Sequence, residues 1–174
     1  MAIEINREIF SDISYGLYLL SSMNGDRGNG QIINTLLQVT SEPPRVAVIV
    51  NKSNLTHDYI MGSGVFGVSV LEEETPLKFL GLFGFRSGRD IDKLSQVQYT
   101  AGTTGCPLVT DHALSVLEAK VFDEIDVGTH TLFIGDVLHG AILKAGLPLT
   151  YHFYRTHLKG KASTKSPTFN PSAT

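Results

Sequence analysis

A mainly β fold, a barrel or sandwich with a few short helices around it, is predicted by three observations. Short apolar, β-branched runs follow one another at close spacing. Clusters of Gly, Asn and Asp separate them, and only brief stretches carry helical periodicity. With 174 residues and 42% hydrophobic content, the chain can build one well-cored domain, and two would be cramped.

Taken in order, residues 5–14 (INREIFSDIS) place Ile5, Ile9 and Ile13 at helical spacing, a short amphipathic lead-in. Residues 16–23 (GLYLLSSM) suit a strand, and 24–30 (NGDRGNG) are dense enough in turn formers to be a hairpin connection. A strand over 31–40, a corner at Pro43 and Pro44, and a strand over 46–50 follow; the prolines bar a continuous helix or central-strand pairing. A helix then begins within 51–57, with Asn54 as N-cap, and ends near Gly62. Residues 65–71 (VFGVSVL) form the next strand. After the solvated acids Glu72, Glu73 and Glu74, Pro76 opens a helix through about Phe83.

In 85–94 (FRSGRDIDKL), Ser87 and Asp90 have capping-box spacing, with Asp in place of Glu or Gln. Residues 102–111 (GTTGCPLVTD) make an irregular loop. Two long strands over 113–126 and 130–143 meet at a turn, and Gly135 inside the second marks a bulge or a close backbone approach. Tyr151, Phe153 and Tyr154 cluster after Pro148. From His157 the apolar pattern gives way to Lys, Ser, Thr and Pro, a tail expected to be mobile or to lie over a partner subunit. The organisation is one domain over 1–160 and a polar tail over 161–174.

Net charge is −3 with pI near 6.0, so nothing points to nucleic acid or an anionic membrane surface. No apolar run is long enough for a transmembrane helix, and MAIEINREIF lacks the continuous apolar core of a secretory signal. Cys106 is the only cysteine, which excludes an internal disulfide and any multi-cysteine zinc or iron–sulfur site. A cytoplasmic protein is the expectation.

Several motifs are discarded on physical grounds. GSGVFG, 62–67, has GxGxxG spacing but runs from a helix into a strand, the reverse of what dinucleotide binding requires. The six histidines show no ligand spacing for a metal. Thr110, Asp111 and His112 come with no GxSxG elbow, so no hydrolase triad is expected. Cys106 has no neighbouring base and is read as a small buried residue.

Two segments suit an anion. Lys52, Ser53, Asn54 and Thr56 sit where a helix begins, and first-turn N–H groups with a lysine beside them attract phosphate. Arg86 and Arg89 flank Ser87 and Gly88, which offer charge-assisted bonds and close backbone approach. On local residues alone, ordinary capped helices with exposed cations account for both segments better.

The runs INTLLQVTSEPPRVAVIVNKSNLTHDYI, GVFGVSVLEEETPLKFLGLFGFRSGRDIDK, GTHTLFIGDV and PLTYHFYR, in that order, resemble the flavin reductase-like, FMN-binding split-barrel family. They are most similar to its flavoredoxin-type members and to the flavin domain of high-molecular-weight rubredoxins. The resemblance runs from about Phe10 to about Lys161 and implies a six-stranded Greek-key split β-barrel with small peripheral helices. It also implies a homodimer with FMN near the interface. Carried onto matching positions, it implies ring contacts from Asn34, Thr35 and Gln38, and tail or phosphate contacts from Asn51, Lys52, Ser53, Asn54 and Thr56. Ser87 and Gly88, with Arg86 or Arg89, would close the far side, and Tyr151 or Phe153 would stack near the ring or cross to the partner. His130 matches a family Gly-Asp-His motif, but Thr129 replaces the Asp, and a polar rim histidine is an equal reading.

The expected function is an oxidoreductase that takes hydride from NADH or NADPH onto FMN, in preference to FAD. Electrons would pass to free flavin or to a rubredoxin or ferredoxin partner. No dedicated acid–base residue is required, because the cofactor carries the chemistry. An electron-transfer flavoprotein reduced by a protein donor is the second reading, and a non-catalytic flavin-binding module the third.

Overall fold

The structure, a computed structural model, describes residues 5–169. Residues 1–4 of the expected domain and 170–174 of the expected tail lie outside the described residues. Seven strands form one antiparallel sheet: β1 (Tyr18–Asn24), β2 (Arg27–Ile33), β3 (Leu36–Ser41), β4 (Pro44–Asn51), β5 (Val65–Leu71), β8 (Ala113–Asp126) and β9 (His130–Ile142). Their order is β2-β1-β5-β8-β9-β4-β3, and β6 (Tyr99–Ala101) and β7 (Pro107–Val109) form a separate hairpin. Three helices attend them: α1 (Leu55–Ser63), α2 (Leu77–Phe85) and α3 (Tyr151–Thr156).

The strand order alone forces a barrel. Laid flat at about 4.8 Å per strand, the outer strands β2 and β3 would stand roughly 29 Å apart. Only Asn34 and Thr35 join them, a link that reaches about 10 Å. The sheet must therefore curl until its edges nearly meet. β2 and β3 are not ladder partners, so the barrel stays split along that seam.

The mainly β class is borne out, and the strand count is corrected from six to seven. The expected strand 31–40 is two strands, broken where the Thr35 hydroxyl donates to the Ile49 carbonyl at 3.0 Å. The expected connection 24–30 shrinks to a two-residue turn, because Gly25 at φ +56° lets Asn24 pair directly with Arg27. The expected loop 102–111 contains the turn, with Gly105 at φ +86°, and the second strand of the β6–β7 hairpin, whose first strand precedes it. The lead-in is a 3-10 helix, Arg7–Asp12, and Ile9 within it and Ile5 and Ile13 beside it stay exposed. Ser87 and Asp90 open no helix: the Arg89 N–H donates to Ser87 Oγ at 3.1 Å and the Asp90 N–H to the Ser87 carbonyl, making a turn.

Two apolar clusters sandwich the sheet. Leu20, Val48, Val50, Phe66, Val68 and Phe133 fill the barrel with Ile60 of α1, while Leu17, Leu19, Phe79, Leu80, Phe83 and Leu149 pack α2 against the outer face. Leu19 and Leu20 point to opposite clusters, so β1 is buried on both faces and reads as nearly charge-free. Gly135 is the close approach its sequence signalled: a Cβ there would lie 2.6 Å from Phe66 Cζ. Bulges lie on both strands beside it: the β9 register slips between Val137 and His139 and leaves Leu138 as the extra residue, and the β8 register slips between Val121 and Asp123 and leaves Phe122. Arg45 covers that ring, 3.6 Å from its centroid.

Candidate functional site

At the split seam, a cavity of about 390 Å³ lies between the β2–β3 junction, the start of α1, the end of α2 and α3. Its lining carries five cationic residues, Arg86, Arg89, Lys93, Lys161 and Lys165, and no Asp or Glu. For a chain of net charge −3, that is a strong local inversion.

Three elements are locked together at its floor. Asn29 of β2, only 4% exposed, donates from Nδ2 to Thr56 Oγ1 of α1 at 2.8 Å. Gly88 packs its backbone on the same side chain: an added Cβ would stand 2.1 Å from Asn29 Oδ1. Asn54 occupies the N-cap of α1 without making a side-chain cap. Asn51 Oδ1 accepts instead from the Ser53 N–H at 3.0 Å and from Ser53 Oγ at 2.8 Å. The first turn of α1 thus reaches the cavity, through Leu55 and Thr56, with its positive end free of a side-chain cap.

Lys93 is the most constrained charge. It is 4% exposed, its Nζ donates to the Arg86 carbonyl at 3.2 Å, and it stands 5.5 Å from the Phe83 ring centroid. Burial pulls its ammonium down to about 8. Arg89 donates through Nη2 to Asp58 at 2.7 Å and through Nη1 to the Ser53 carbonyl at 3.4 Å.

Of the fifteen residues singled out in the sequence, ten line this cavity: Asn34, Thr35, Asn51, Asn54, Thr56, Arg86, Ser87, Gly88, Arg89 and Tyr151. Five do not. Phe153 stacks on His157, with ring centroids 4.6 Å apart. Lys52 Nζ is held by Asp126 at 2.6 Å, and Gln38 donates to the Thr40 carbonyl at 3.4 Å on exposed β3. The Ser53 hydroxyl is turned to Asn51. His130 holds Thr129 Oγ1 at 2.8 Å through Nδ1 and donates from Nε2 to the Lys165 carbonyl at 3.2 Å.

Asn29 and Lys93 were missed in the sequence. Asn29 lay inside a stretch rich in turn formers, and a lone lysine between Asp92 and Leu94 reads as surface. The tail was missed as well: residues 161–167 line the cavity of their own chain.

The discarded motifs have ordinary places. Cys106 is fully buried and its thiol is pushed up to about 12, by burial first. Asp111 accepts from the Gln98 N–H at 3.0 Å, while His112 faces Glu72 at 3.3 Å. His57 packs on Phe133 and shares a 2.9 Å hydrogen bond with Thr131, and burial lowers its pKa. Among the described residues, no three His, Cys, Asp or Glu gather as metal ligands, and no helix is long and apolar enough to cross a membrane.

The family described as the flavin reductase like domain matches residues 10–159. The ferric-chelate reductase (NAD(P)H) of Archaeoglobus fulgidus is 52% identical over 154 residues, covering 88% of this chain and 91% of that one. The high molecular weight rubredoxin of Moorella thermoacetica is 45% identical over 157 residues, covering 90% of this chain and 69% of the relative. Among solved structures, the NADH:FAD oxidoreductase SgcE6 of Streptomyces globisporus C-1027, in complex with NAD and FAD fragments, aligns with a TM-score of 0.75 at 25% identity. That alignment covers 97% of this chain and 93% of that one.

Proposed function

The chain belongs to the flavin reductase like domain family, and on that premise we propose that its cavity holds FMN and that NADH or NADPH reduces it there. The observation that carries this reading is the lining itself, five cations and no acid, which suits a phosphorylated ligand. A volume of about 390 Å³ lies near the lower end of cofactor sites and favours the mononucleotide over the larger FAD.

Arg86, Arg89 and Lys93, with the uncapped start of α1 and the Ser87–Gly88 turn, would hold the phosphate. Asn34, Thr35 and Asn51 offer the polar groups for the rest of the ligand, and Tyr151 an aromatic wall. Flavin held by these residues would supply the redox chemistry, as acceptor of hydride from the nicotinamide nucleotide and donor of electrons to an acceptor. The protein's share is to position the ligand, neutralise its phosphate and exclude water, so no side chain is assigned as a general acid or base.

Free flavin or a rubredoxin- or ferredoxin-like protein is the proposed acceptor, supported by the likeness to a high molecular weight rubredoxin. A homodimer is proposed as well. Phe122, Ile125, Leu138 and Ile142 are exposed on β8 and β9, with Val127 in the turn between them, and such rows are commonly covered by a partner. A cytoplasmic location belongs to the same proposal.

The test is a visible spectrum of the purified protein, followed by anaerobic mixing with NADH and with NADPH. A flavin spectrum that bleaches with either nucleotide is expected, from a particle sedimenting at twice the chain mass. Bleaching by reduced rubredoxin or ferredoxin alone would make it a carrier. A colourless protein that ignores FMN in calorimetry would end the flavin reading.

A further inference from the structure

The end of the chain is built across the mouth of the cavity. Its root is fixed to α3: Arg155 Nη1 donates to the Gly160 carbonyl at 2.8 Å and the Tyr154 hydroxyl to the Lys161 carbonyl at 2.9 Å. Its far end is held by a few polar contacts with the barrel rim. Asn51 Nδ2 and His130 Nε2 both donate to the Lys165 carbonyl, at 3.4 and 3.2 Å, and Asn34 Nδ2 donates to Thr168 Oγ1 at 2.9 Å. No strand ladder includes this segment. A stretch held by a few partly exposed hydrogen bonds belongs to the low-stability end of a fold and can open without the barrel.

Its charge is placed oddly. Lys165 Nζ donates to the Ser53 carbonyl at 3.5 Å, the same oxygen that Arg89 Nη1 reaches at 3.4 Å, so the two cations stand within about 7 Å of each other. Arg89 has Asp58 as counter-ion, whereas Lys165 has no carboxylate within ion-pair reach among the described residues. Two like charges this close oppose closure of the segment, and an anion beside them reverses the sign.

We propose that residues 161–169 form a strap that closes over a phosphorylated ligand, with Lys165 making closure depend on the phosphate. The proposal rests on the FMN reading and deepens it. The strap, more than the barrel, decides whether flavin is retained through turnover or exchanged as a substrate. Riboflavin, which fills the same slot without a phosphate, leaves the strap open.

Lys161 and Lys165 are themselves trypsin sites, so closure is read by limited proteolysis of the full chain, with binding followed separately by flavin absorbance. FMN is expected to slow cleavage after both lysines about tenfold, the size of one charge-assisted contact, and riboflavin to leave it unchanged. Lys165→Gln should speed FMN release by a similar factor and riboflavin release hardly at all, and Lys165→Arg should restore slow release. Visible FMN binding without protection overturns the strap and leaves the flavin reading standing. Equal protection by riboflavin overturns the role of Lys165. A full chain that takes up no FMN in the absorbance titration removes the flavin reading, and the strap with it.

Discussion

Two side chains of opposite charge are buried in this molecule and are treated in opposite ways. Glu118, on β8, is fully buried and surrounded by donors. Its carboxylate accepts from the Thr103 N–H at 2.8 Å, Thr103 Oγ1 at 2.6 Å, the Thr104 N–H at 2.9 Å and the Thr104 hydroxyl. Lys93, at the cavity, has three protons to donate and one protein acceptor, the Arg86 carbonyl. Burial raises the Glu118 pKa, but its hydrogen bonds outweigh that and leave the carboxyl below its ordinary value. Nothing offsets burial at Lys93. A saturated buried charge fixes a loop; an under-served one beside an acid-free cavity keeps donors to spare, which is where the proposed phosphate would sit.

The largest effect should come from breaking the saturated side. Glu118→Gln turns an amide donor toward hydroxyls and backbone N–H groups already committed as donors. We expect a loss of about 3 kcal/mol, read as a fall of roughly 6–12 °C in Tm, with FMN affinity unchanged. The acid limb of stability should shift too. A carboxyl depressed in the folded state contributes in full above its ordinary 4.5, and loses that contribution as pH falls through its lower folded value. If Glu118→Gln weakens FMN and leaves Tm in place, the two regions have been assigned the wrong way round.

Lys93→Met reverses the pattern. Removing a poorly served buried charge should raise the stability of the ligand-free protein while weakening FMN about thirtyfold and riboflavin little, as titration calorimetry would show. The pH dependence carries the same signature. Between about 8 and the ordinary 10.5, the unfolded chain keeps a proton that folded Lys93 has lost. Lys93 therefore makes stability rise with pH from about 8, a gain opposed above the ordinary 9.0 of a thiol by buried Cys106, whose folded value lies near 12, and FMN affinity falls as the ammonium disappears. Lys93→Met should abolish both slopes.

The fold was more legible than the site because strands announce themselves by alternation and turns by composition. β5 and β8 were read with their observed limits, and α1 was expected to begin at Asn54. What the sequence concealed were places where tertiary contacts decide. The break at Asn34 and Thr35 exists because the barrel must close, and the hairpin around Gly105 is held by a glutamate fourteen residues beyond Thr104. At the site, ten residues gathered because the family pattern carried them, whereas Lys52 leaves the cavity for Asp126, a partner 74 positions away. Lys93 had no local mark at all, since its burial depends on Phe83 and Arg86 folding over it.

The smallest expected effect separates shape from charge on the cavity side. Gly88→Ala would drive a methyl to within 2.1 Å of Asn29 Oδ1, and Asn29 is pinned by its bond to Thr56. The amide must rotate and give up that bond, which costs about 1 kcal/mol and loosens the joint between β2 and α1. No charge changes, so FMN and riboflavin should weaken together, by about fivefold each, in parallel titrations. Lys93→Met weakens one ligand and Gly88→Ala weakens both. If Gly88→Ala instead discriminates between them, the turn at Ser87 and Gly88 acts on the phosphate directly, and the division between a charged end and a scaffold must be redrawn.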